Sequence, residues 1–463
     1  MISLDEYRKS VKGKKIAFCG AGISNMPLVS MYTDFGAEVT VCDKKSADEL
    51  GDKIDKLKKT GCKMQFGENW LAGLEKTDIL FRTPGMNYNL PELAALRGQG
   101  VQITSEIEEF FKLCPSKIIA VTGSDGKTTT TSIIAELLKA QGKRVFLGGN
   151  IGAPLLPRVM DMKKDDIAVA ELSSFQLISM KMSPSTAVIT NIAPNHLDVH
   201  KDMEEYINAK KNIFTHQKPN DRLVLNFEND ITRSFVNEAA GEVITFGHDI
   251  SSDNCVFVDN GVVSSYKNGV KSPLFEVRDI RIPGDHNVQN YMAAAAATLG
   301  LVSCENMDKT AREFAGVEHR IEFVREINGV KWYNDSIATS PTRAIAGINS
   351  FSQKLIIIAG GYDKHIPFKP FAERAVTGAK ALILMGKTAD AIEKAVKEAP
   401  GYAPGNPAII RAKSMEDAVL KAKNIAEKGD IVTLSPASAS FDMYPNFAVR
   451  GNHFKDIVNR LYD

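Results

Sequence analysis

Residues 121–132, VTGSDGKTTTTS, place a lysine and a run of hydroxyl side chains directly after a glycine. In a phosphate loop of the form GxxxxGK(S/T), backbone N–H groups cradle phosphates, the Lys meets them and the Ser/Thr reaches a magnesium ion. Gly126, Lys127 and Thr128 fit that form, with Thr129 next in line, but Val121 stands at the first glycine position and Gly123 is an additional glycine. KIIAVTG before the loop reads as a strand, and KTTTTSIIAELLKAQG after it as a helix stopped by Gly142. A helix N-terminus at that point adds free N–H donors and partial positive charge, which favours phosphate binding over a chance GKT. Lys127 would hold the β/γ-phosphate and Thr128 the magnesium.

Two later apolar strands end on groups that could serve the same ion. DIAVAELSSFQL ends its strand at Glu171, and STAVITNIAPNHLDVH carries Asn195, His196 and Asp198 at its end. In a parallel sheet both ends converge beside the phosphate loop, where Glu171 and His196 could complete a magnesium site, an imidazole being the less usual ligand for so hard a cation. Taken singly, each reads as a capping acid or a loop histidine. DMEEYINAKKNIF reads as a helix ending before Pro219, with Tyr206 and Lys210 on one face; alone, Lys210 reads as a solvated lysine. IPGDHNVQNYMAAAAA opens an apolar helix with Asn287 and Asn290 in its first turn, which alone are caps. FAGVEHRIEF reads as a hinge, with Arg320 either on the surface or reaching across a cleft toward phosphate.

The elements around these residues alternate strand and helix. KIAFCG, the turn GAGISN, a helix from about Asn25 and EVTVCD form a βαβ pattern. Gly20, Gly22 and Asp43 match parts of a dinucleotide fingerprint whose third glycine is replaced by Asn25, so the turn is either a nucleotide site or a plain tight connection. ILFRTPGMN is a second loop at a strand carboxyl end, or simply a Pro-Gly turn. Residues 220 to about 280 read as a β-rich patch of short strands. VKWYND, KLIIIAGGYDK, AKALILMG, PAIIRA and DIVTLSPASAS then read as strands of another open parallel sheet, with Asp335, Lys364 and Ser440 at the ligand-binding edge.

A chain of 463 residues exceeds one hydrophobic core, so two to three domains of about 100 to 200 residues are expected. A net charge of +1, with 44% hydrophobic and 24% charged residues, gives no pull toward nucleic acid or anionic membrane and favours a small-molecule substrate. Six scattered cysteines form no CxxC pair and read as reduced structural thiols. MISLDEYRKSVKGKK lacks the apolar stretch of a signal peptide and YMAAAAATLGLV is too short to span a bilayer, so the expected location is the cytoplasm.

In chain order, TGSDGKTTT, GNIG, ELSSFQL, NHLD, GDHNVQN, EHR, NDS and SPASASFD resemble the motif series of the Mur ligases, the ATP-dependent amide-forming enzymes of peptidoglycan synthesis. Their TGxxGKT(T/S) loop accounts for the unusual glycines here, and the resemblance runs from the first βαβ unit to SPASASFDMYPNFAVRGNHF. GGYDK and that last string are most similar to the D-glutamate-adding members. The resemblance implies an α/β fold of three domains: a Rossmann-like domain for a UDP-sugar over 1–114, a central P-loop ATPase-type parallel sheet with a small β-rich patch over 115–315, and a C-terminal dinucleotide-fold domain for the amino acid over 316–463. It implies that Gly123, Gly126, Lys127, Thr128, Thr129, Asn150, Asn287, Asn290, Arg320 and Asp335 bind ATP. Thr128, Glu171 and His196 would bind magnesium, and Lys210 matches a lysine that family members carbamylate, which would help hold a second ion. Gly22, Ile23, Ser24 and Asp43 correspond to the uridine-nucleotide site, and Thr339, Lys364, Ser440 and Phe447 to the D-glutamate site.

The expected reaction joins D-glutamate to UDP-N-acetylmuramoyl-L-alanine through an acyl-phosphate, releasing ADP and phosphate. Lys127, His196, Lys210 and Arg320 are its catalytic group, and domain closure would bring Arg320 to Lys127. The expected form is a monomer without nucleic-acid or membrane partners. One position departs from the family pattern: Ile337 in NDSIATS stands where many relatives have Lys, so either Arg343 supplies the cation or a contact is absent. The alternatives are a family member for L-alanine, a diamino acid or a folate, a nicotinamide-dependent oxidoreductase, and a catalytically silent nucleotide binder.

Overall fold

The computed structural model describes residues 2–194, 199–250, 252–364 and 366–462. His196, with Asn195 and Asp198, lies outside them. The described residues form three sheets in two compact units. The first unit comprises Met1–Val277 and Gln289–Thr310, and the second Arg278–Val288 and Ala311–Asp463.

The first sheet contains β1 (Lys15–Cys19), β2 (Glu38–Asp43), β3 (Lys63–Phe66), β4 (Ile79–Arg82) and β5 (Gln102–Thr104), ordered β3-β2-β1-β4-β5. All its pairings are parallel. KIAFC is apolar on both faces because both are covered, as parallel sheets require. Phe18 stacks on Phe81 with centroids 4.8 Å apart, and Tyr32 meets both rings edge-on.

The second sheet holds β6 (Lys117–Thr122), β7 (Val145–Gly149), β8 (Ile167–Glu171), β9 (Thr186–Ile189), β10 (Arg222–Asn226), β11 (Glu242–Phe246), β12 (Asn254–Asp259), β13 (Val262–Lys267) and β14 (Val270–Glu276). Its order is β14-β13-β12-β11-β10-β9-β6-β8-β7. The β-rich patch is therefore smaller than residues 220–280: β10 and β11 extend the parallel sheet, and only β12, β13 and β14 form an antiparallel meander. RLVLN and EVITF read as patch strands because a short apolar run does not reveal its partner's direction.

Both sheets of the first unit are tied by buried polar groups. Glu106 accepts the Leu156 N–H at 2.7 Å, and burial raises its carboxyl pKa to about 7. Arg82, fully buried at the end of β4, donates to the Phe175 carbonyl at 2.8 Å and to Ser179 Oγ at 2.7 Å.

The second unit contains β15 (Glu322–Ile327), β16 (Val330–Asn334), β17 (Leu355–Ala359), β18 (Ala379–Leu384), β19 (Ala408–Arg411) and β20 (Ile431–Leu434). They are ordered β15-β16-β20-β17-β18-β19, with β15 and β16 an antiparallel hairpin and the remaining pairings parallel. LIIIA of β17 is wholly buried at the centre, between two apolar clusters.

Removing the Phe18 ring leaves a cavity between Tyr32 and Phe81. Phe18→Ala should destabilise the first unit by about 3–5 kcal/mol, read as a lower urea midpoint for its unfolding.

Candidate active site

β6 lies between β8 and β9, with Val121 opposite Glu171 and Thr122 opposite Ile189. The loop leaving β6 is thus flanked by the carboxyl ends of both neighbours. Gly123 has φ +153°, and a Cβ there would collide with Thr190 Oγ1; Gly126 has φ +76°, and a Cβ would strike Asn290 Oδ1. Both glycines of the unusual loop are required by these close approaches. Ser124 N donates to the Asn191 carbonyl at 2.9 Å, and Thr190 Oγ1 to the Asp125 carbonyl at 2.6 Å, fixing the loop to the end of β9. The 14-residue helix Lys127–Ala140 begins at once, so its first-turn N–H groups face the loop. Lys127 Nζ lies on the loop, donating to the Gly123 and Ser124 carbonyls at 2.9 and 2.8 Å.

Glu171 is 2% exposed. Its Oε1 accepts from Asn150 Nδ2 at 2.8 Å, whereas the buried Oε2 has no hydrogen-bond partner. A buried carboxylate oxygen without a donor is a costly arrangement unless a cation meets it. Lys210, on the helix Met203–Lys211, is 1% exposed and far from a solvated lysine. Its Nζ donates to the Gly123 carbonyl at 2.8 Å and Thr122 Oγ1 at 3.3 Å, and lies 4.8 Å from the Tyr206 ring centroid. Burial, then the nearby Lys127 ammonium, pushes its pKa well below the usual lysine range, against the opposing pull of Asp125 and Glu171. Asn290 Oδ1 accepts from Thr130 Oγ1 at 3.2 Å, so it stands at the start of the loop helix. The oxygen donors of Thr128 and Glu171 suit magnesium; a charged Lys210 would oppose it, and a carbamate there would not.

In the first sheet, Asp43 Oδ2 accepts the Ala21 N–H at 2.8 Å and Oδ1 the Lys45 N–H at 2.9 Å. Gly22, Ile23 and Ser24 form the turn beside it, with Ile23 80% exposed. Asn25 is buried and donates to the Cys19 and Gly20 carbonyls at 3.0 and 3.1 Å. Its side chain thus pins the turn where the dinucleotide fingerprint has a third glycine.

In the second unit, Asp335 directly follows Asn334 at the end of β16 and is buried. Oδ1 accepts the Ile321 N–H at 3.3 Å and Oδ2 the Ser435 hydroxyl at 3.0 Å. Burial raises its pKa to about 7, although those hydrogen bonds and the charges of Arg320 and Arg343 act in the other direction. Arg320 sits between His319 at φ 64° and Ile321 at φ 44°. A β-branched residue in the left-handed region is strained, and Asp335 holds it there. Lys364 Nζ donates to the Thr339 carbonyl at 3.3 Å beside a cleft lined by Thr339, Pro341, Phe368 and Ser438. Ser440 is buried, and Phe447 meets His319 edge to face with its carbonyl accepting from Ser336 Oγ at 2.8 Å. Arg343 donates to the Ile337 carbonyl at 3.4 Å, so a cation stands beside the position that Ile337 leaves uncharged. Asn287 Nδ2 donates to the Pro283 carbonyl at 2.6 Å, a contact within this unit.

Sequence reasoning missed Arg450. It is fully buried and donates to Ser336 Oγ and to the carbonyls of Ser336, Ser438 and Ala439 at 2.9–3.2 Å, joining the NDS and SPASAS loops. No local pattern marks an arginine whose partners are backbone carbonyls distant in sequence.

Comparison with known proteins accords with this architecture. The Mur ligase middle domain matches residues 121–298, and the Mur ligase glutamate ligase domain residues 319–438. A UDP-N-acetylmuramoylalanine--D-glutamate ligase of Acetivibrio thermocellus is 50% identical over 461 residues, covering 99% of both chains. The chain belongs to the Mur ligase family. A like-named protein of Clostridium novyi is 48% identical over 468 residues, again with 99% of both chains covered. Among solved structures, the UDP-N-acetylmuramate-alanine ligase MurC of Thermotoga maritima superposes with a TM-score of 0.56 at 20% identity, covering 96% of this chain and 99% of its own. That likeness speaks for the fold, and the three α/β sheets of this Mur ligase fit it.

The Asp335 carboxyl has a testable signature. Between its ordinary 3.8 and about 7 the folded state holds a proton that the unfolded chain has released, so this group lowers stability as pH rises through that window. Asp335→Asn removes the effect, and the wild-type urea midpoint should fall relative to that variant from about pH 4 to about pH 7.

Proposed function

We propose that this Mur ligase joins D-glutamate to UDP-N-acetylmuramoyl-L-alanine at the expense of ATP, as a cytoplasmic monomer in peptidoglycan precursor synthesis. The observation that carries the reading is 50% identity along the full chain to a protein named for that ligase activity. The site geometry supports it: a phosphate loop, an unsatisfied buried carboxylate and two lysines share one sheet edge, and the second unit has a cleft bearing a cation. The reading takes three domains, 1–114, 115–315 and 316–463, and the grouping of the strands into three sheets supports it.

Each residue then has a task. Gly22, Ile23, Ser24 and Asp43 hold the uridine nucleotide. Gly123, Gly126, Lys127, Thr128, Thr129 and the loop-helix N–H groups hold the ATP phosphates, with Asn150, Asn287, Asn290, Arg320 and Asp335 completing the nucleotide site. Thr128, Glu171 and His196 are the residues for magnesium, and a carbamate on Lys210 would serve a second ion. Bound magnesium neutralises charge on the phosphates. Thr339, Lys364, Ser440 and Phe447 hold D-glutamate, whose two carboxylates explain the need for a cation and hydroxyl donors.

The substrate carboxylate is a poor electrophile. Its oxygen attacks the γ-phosphorus, the bond to the β–γ bridging oxygen breaks, and ADP leaves with that electron pair. The D-glutamate amine then attacks the acyl carbon, phosphate departs, and the amine loses a proton. The chain supplies orientation and charge neutralisation, with Lys127 and Arg320 offsetting negative charge on the transferring group.

Phosphate release from ATP and Mg²⁺ should require UDP-N-acetylmuramoyl-L-alanine and D-glutamate together; turnover with L-glutamate, L-alanine or a diamino acid instead would overturn the substrate assignment. Lys127→Ala should lower kcat by about 100-fold or more. Enzyme depleted of carbon dioxide should recover activity with a lag on adding bicarbonate, whereas immediate full activity would remove the carbamate from the scheme.

A further inference from the structure

Two aromatic side chains stand partly in water, and one of them, Tyr362, lines the cleft that carries Lys364. Tyr362 is 41% exposed and Phe441 63%, and their rings meet edge to face with centroids 5.9 Å apart. Single exposed apolar residues are ordinary, but this pair sits on fixed backbone. Tyr362 N donates to the Ala439 carbonyl at 2.9 Å, and that same carbonyl accepts from the buried Arg450 at 3.1 Å. Gly361, at φ +148°, donates its N–H to Thr388 Oγ1 at 3.0 Å, and a Cβ there would collide with the Ala439 carbonyl. These contacts fix the backbone of Tyr362 beside the cleft.

Tyr362 lines this cleft together with Asp363, Lys364, Thr339, Phe368 and Ser438. The Lys364 ammonium, the Asp363 carboxylate, hydroxyl groups and an aromatic wall line it, which suits a zwitterionic amino acid whose aliphatic side chain ends in a negative charge. The ammonium meets the charge, and the ring has only the methylenes to cover. Phe441 does not line the cleft, so its part is to brace the ring from outside.

We propose that Tyr362 is the specificity wall of the acceptor pocket, its ring packing on the side-chain methylenes of the incoming amino acid while Phe441 holds the ring in place. The inference rests on the acceptor site proposed above. Apolar contact of this kind scales with the area removed from water, and a methylene more or less in a pocket is worth about 10-fold or more in discrimination. Tyr362 thereby favours a two-methylene side chain over a shorter one carrying the same charge.

The test measures KM and kcat for D-glutamate and for D-aspartate by phosphate release, at saturating ATP and nucleotide substrate, in wild type, Tyr362→Ala, Tyr362→Phe and Phe441→Ala. Tyr362→Ala should raise KM for D-glutamate about 10-fold, with kcat and the KM values for ATP and nucleotide unchanged, and should narrow the preference over D-aspartate. Tyr362→Phe should keep the wild-type KM, and Phe441→Ala should show a smaller rise. An unchanged KM in Tyr362→Ala overturns the proposal, as does a Tyr362→Phe enzyme as poor as the alanine variant, since the hydroxyl and not the ring would then be responsible. Should the wild type reject D-glutamate but use another amino acid, the D-glutamate assignment fails separately, and the same comparison made with that amino acid decides the role of Tyr362.

Discussion

The position of β6 between β8 and β9 is the constraint on which the first unit's chemistry depends. Parallel pairing sends all three carboxyl ends to one edge, and the register sets Val121 beside Glu171 and Thr122 beside Ile189. The loop from β6 therefore has backbone on both sides and little room. Gly123 is squeezed by Thr190, and Gly126 by Asn290, whose other neighbour is Thr130 on the loop helix. Side chains larger than hydrogen would move the loop away from the helix terminus that gives it its affinity for phosphate.

The same crowding creates the electrostatic condition of the site. Lys210 and Lys127 both turn onto loop carbonyls, and Lys210 does so at almost complete burial. Burial disfavours the charge on Lys210, and the nearby Lys127 ammonium adds to that. Glu171, on the adjacent strand, leaves one oxygen unmatched. The edge is short of a cation at Glu171 and over-supplied at Lys210. A carbamate on Lys210 together with bound magnesium would relieve both imbalances at once.

How much of this the sequence announced depended on the range of the interaction. The phosphate loop, β8 ending at Glu171 and the βαβ units are written in contiguous residues, so strand, turn and helix signals located them. The resemblance supplied the remaining site residues. Arg82 and Arg450 carried no comparable signal, because their roles come from carbonyls of other segments: Phe175 for Arg82, Ser336 and Ser438 for Arg450. Lys210 read as a surface lysine because helical spacing gives its face but not what covers that face. β10 and β11 read as a separate patch because a strand's own residues do not name its neighbour.

Arg450 sets the loops beside the second unit's cleft through a hydroxyl and backbone carbonyls. Its guanidinium meets a hydroxyl and three carbonyls, and burial lowers its pKa to about 10, still far enough above neutrality for the charge to persist. A carboxylate partner would have drawn the arginine to one side chain on one loop. Carbonyls distribute it over two loops, and the donors left by each planar fork fix the angle between them. Asp335 works in the complementary sense, accepting from the Ile321 N–H and the Ser435 hydroxyl and so holding a strained turn on one side of Arg320. The NDS and SPASAS loops and the turn at Arg320 are thereby set by two buried polar residues, Arg450 and Asp335. Substitutions at such residues would alter the geometry of several contacts together, which is why the direct contacts, among them the exposed ring of Tyr362, are the places where specificity can change alone.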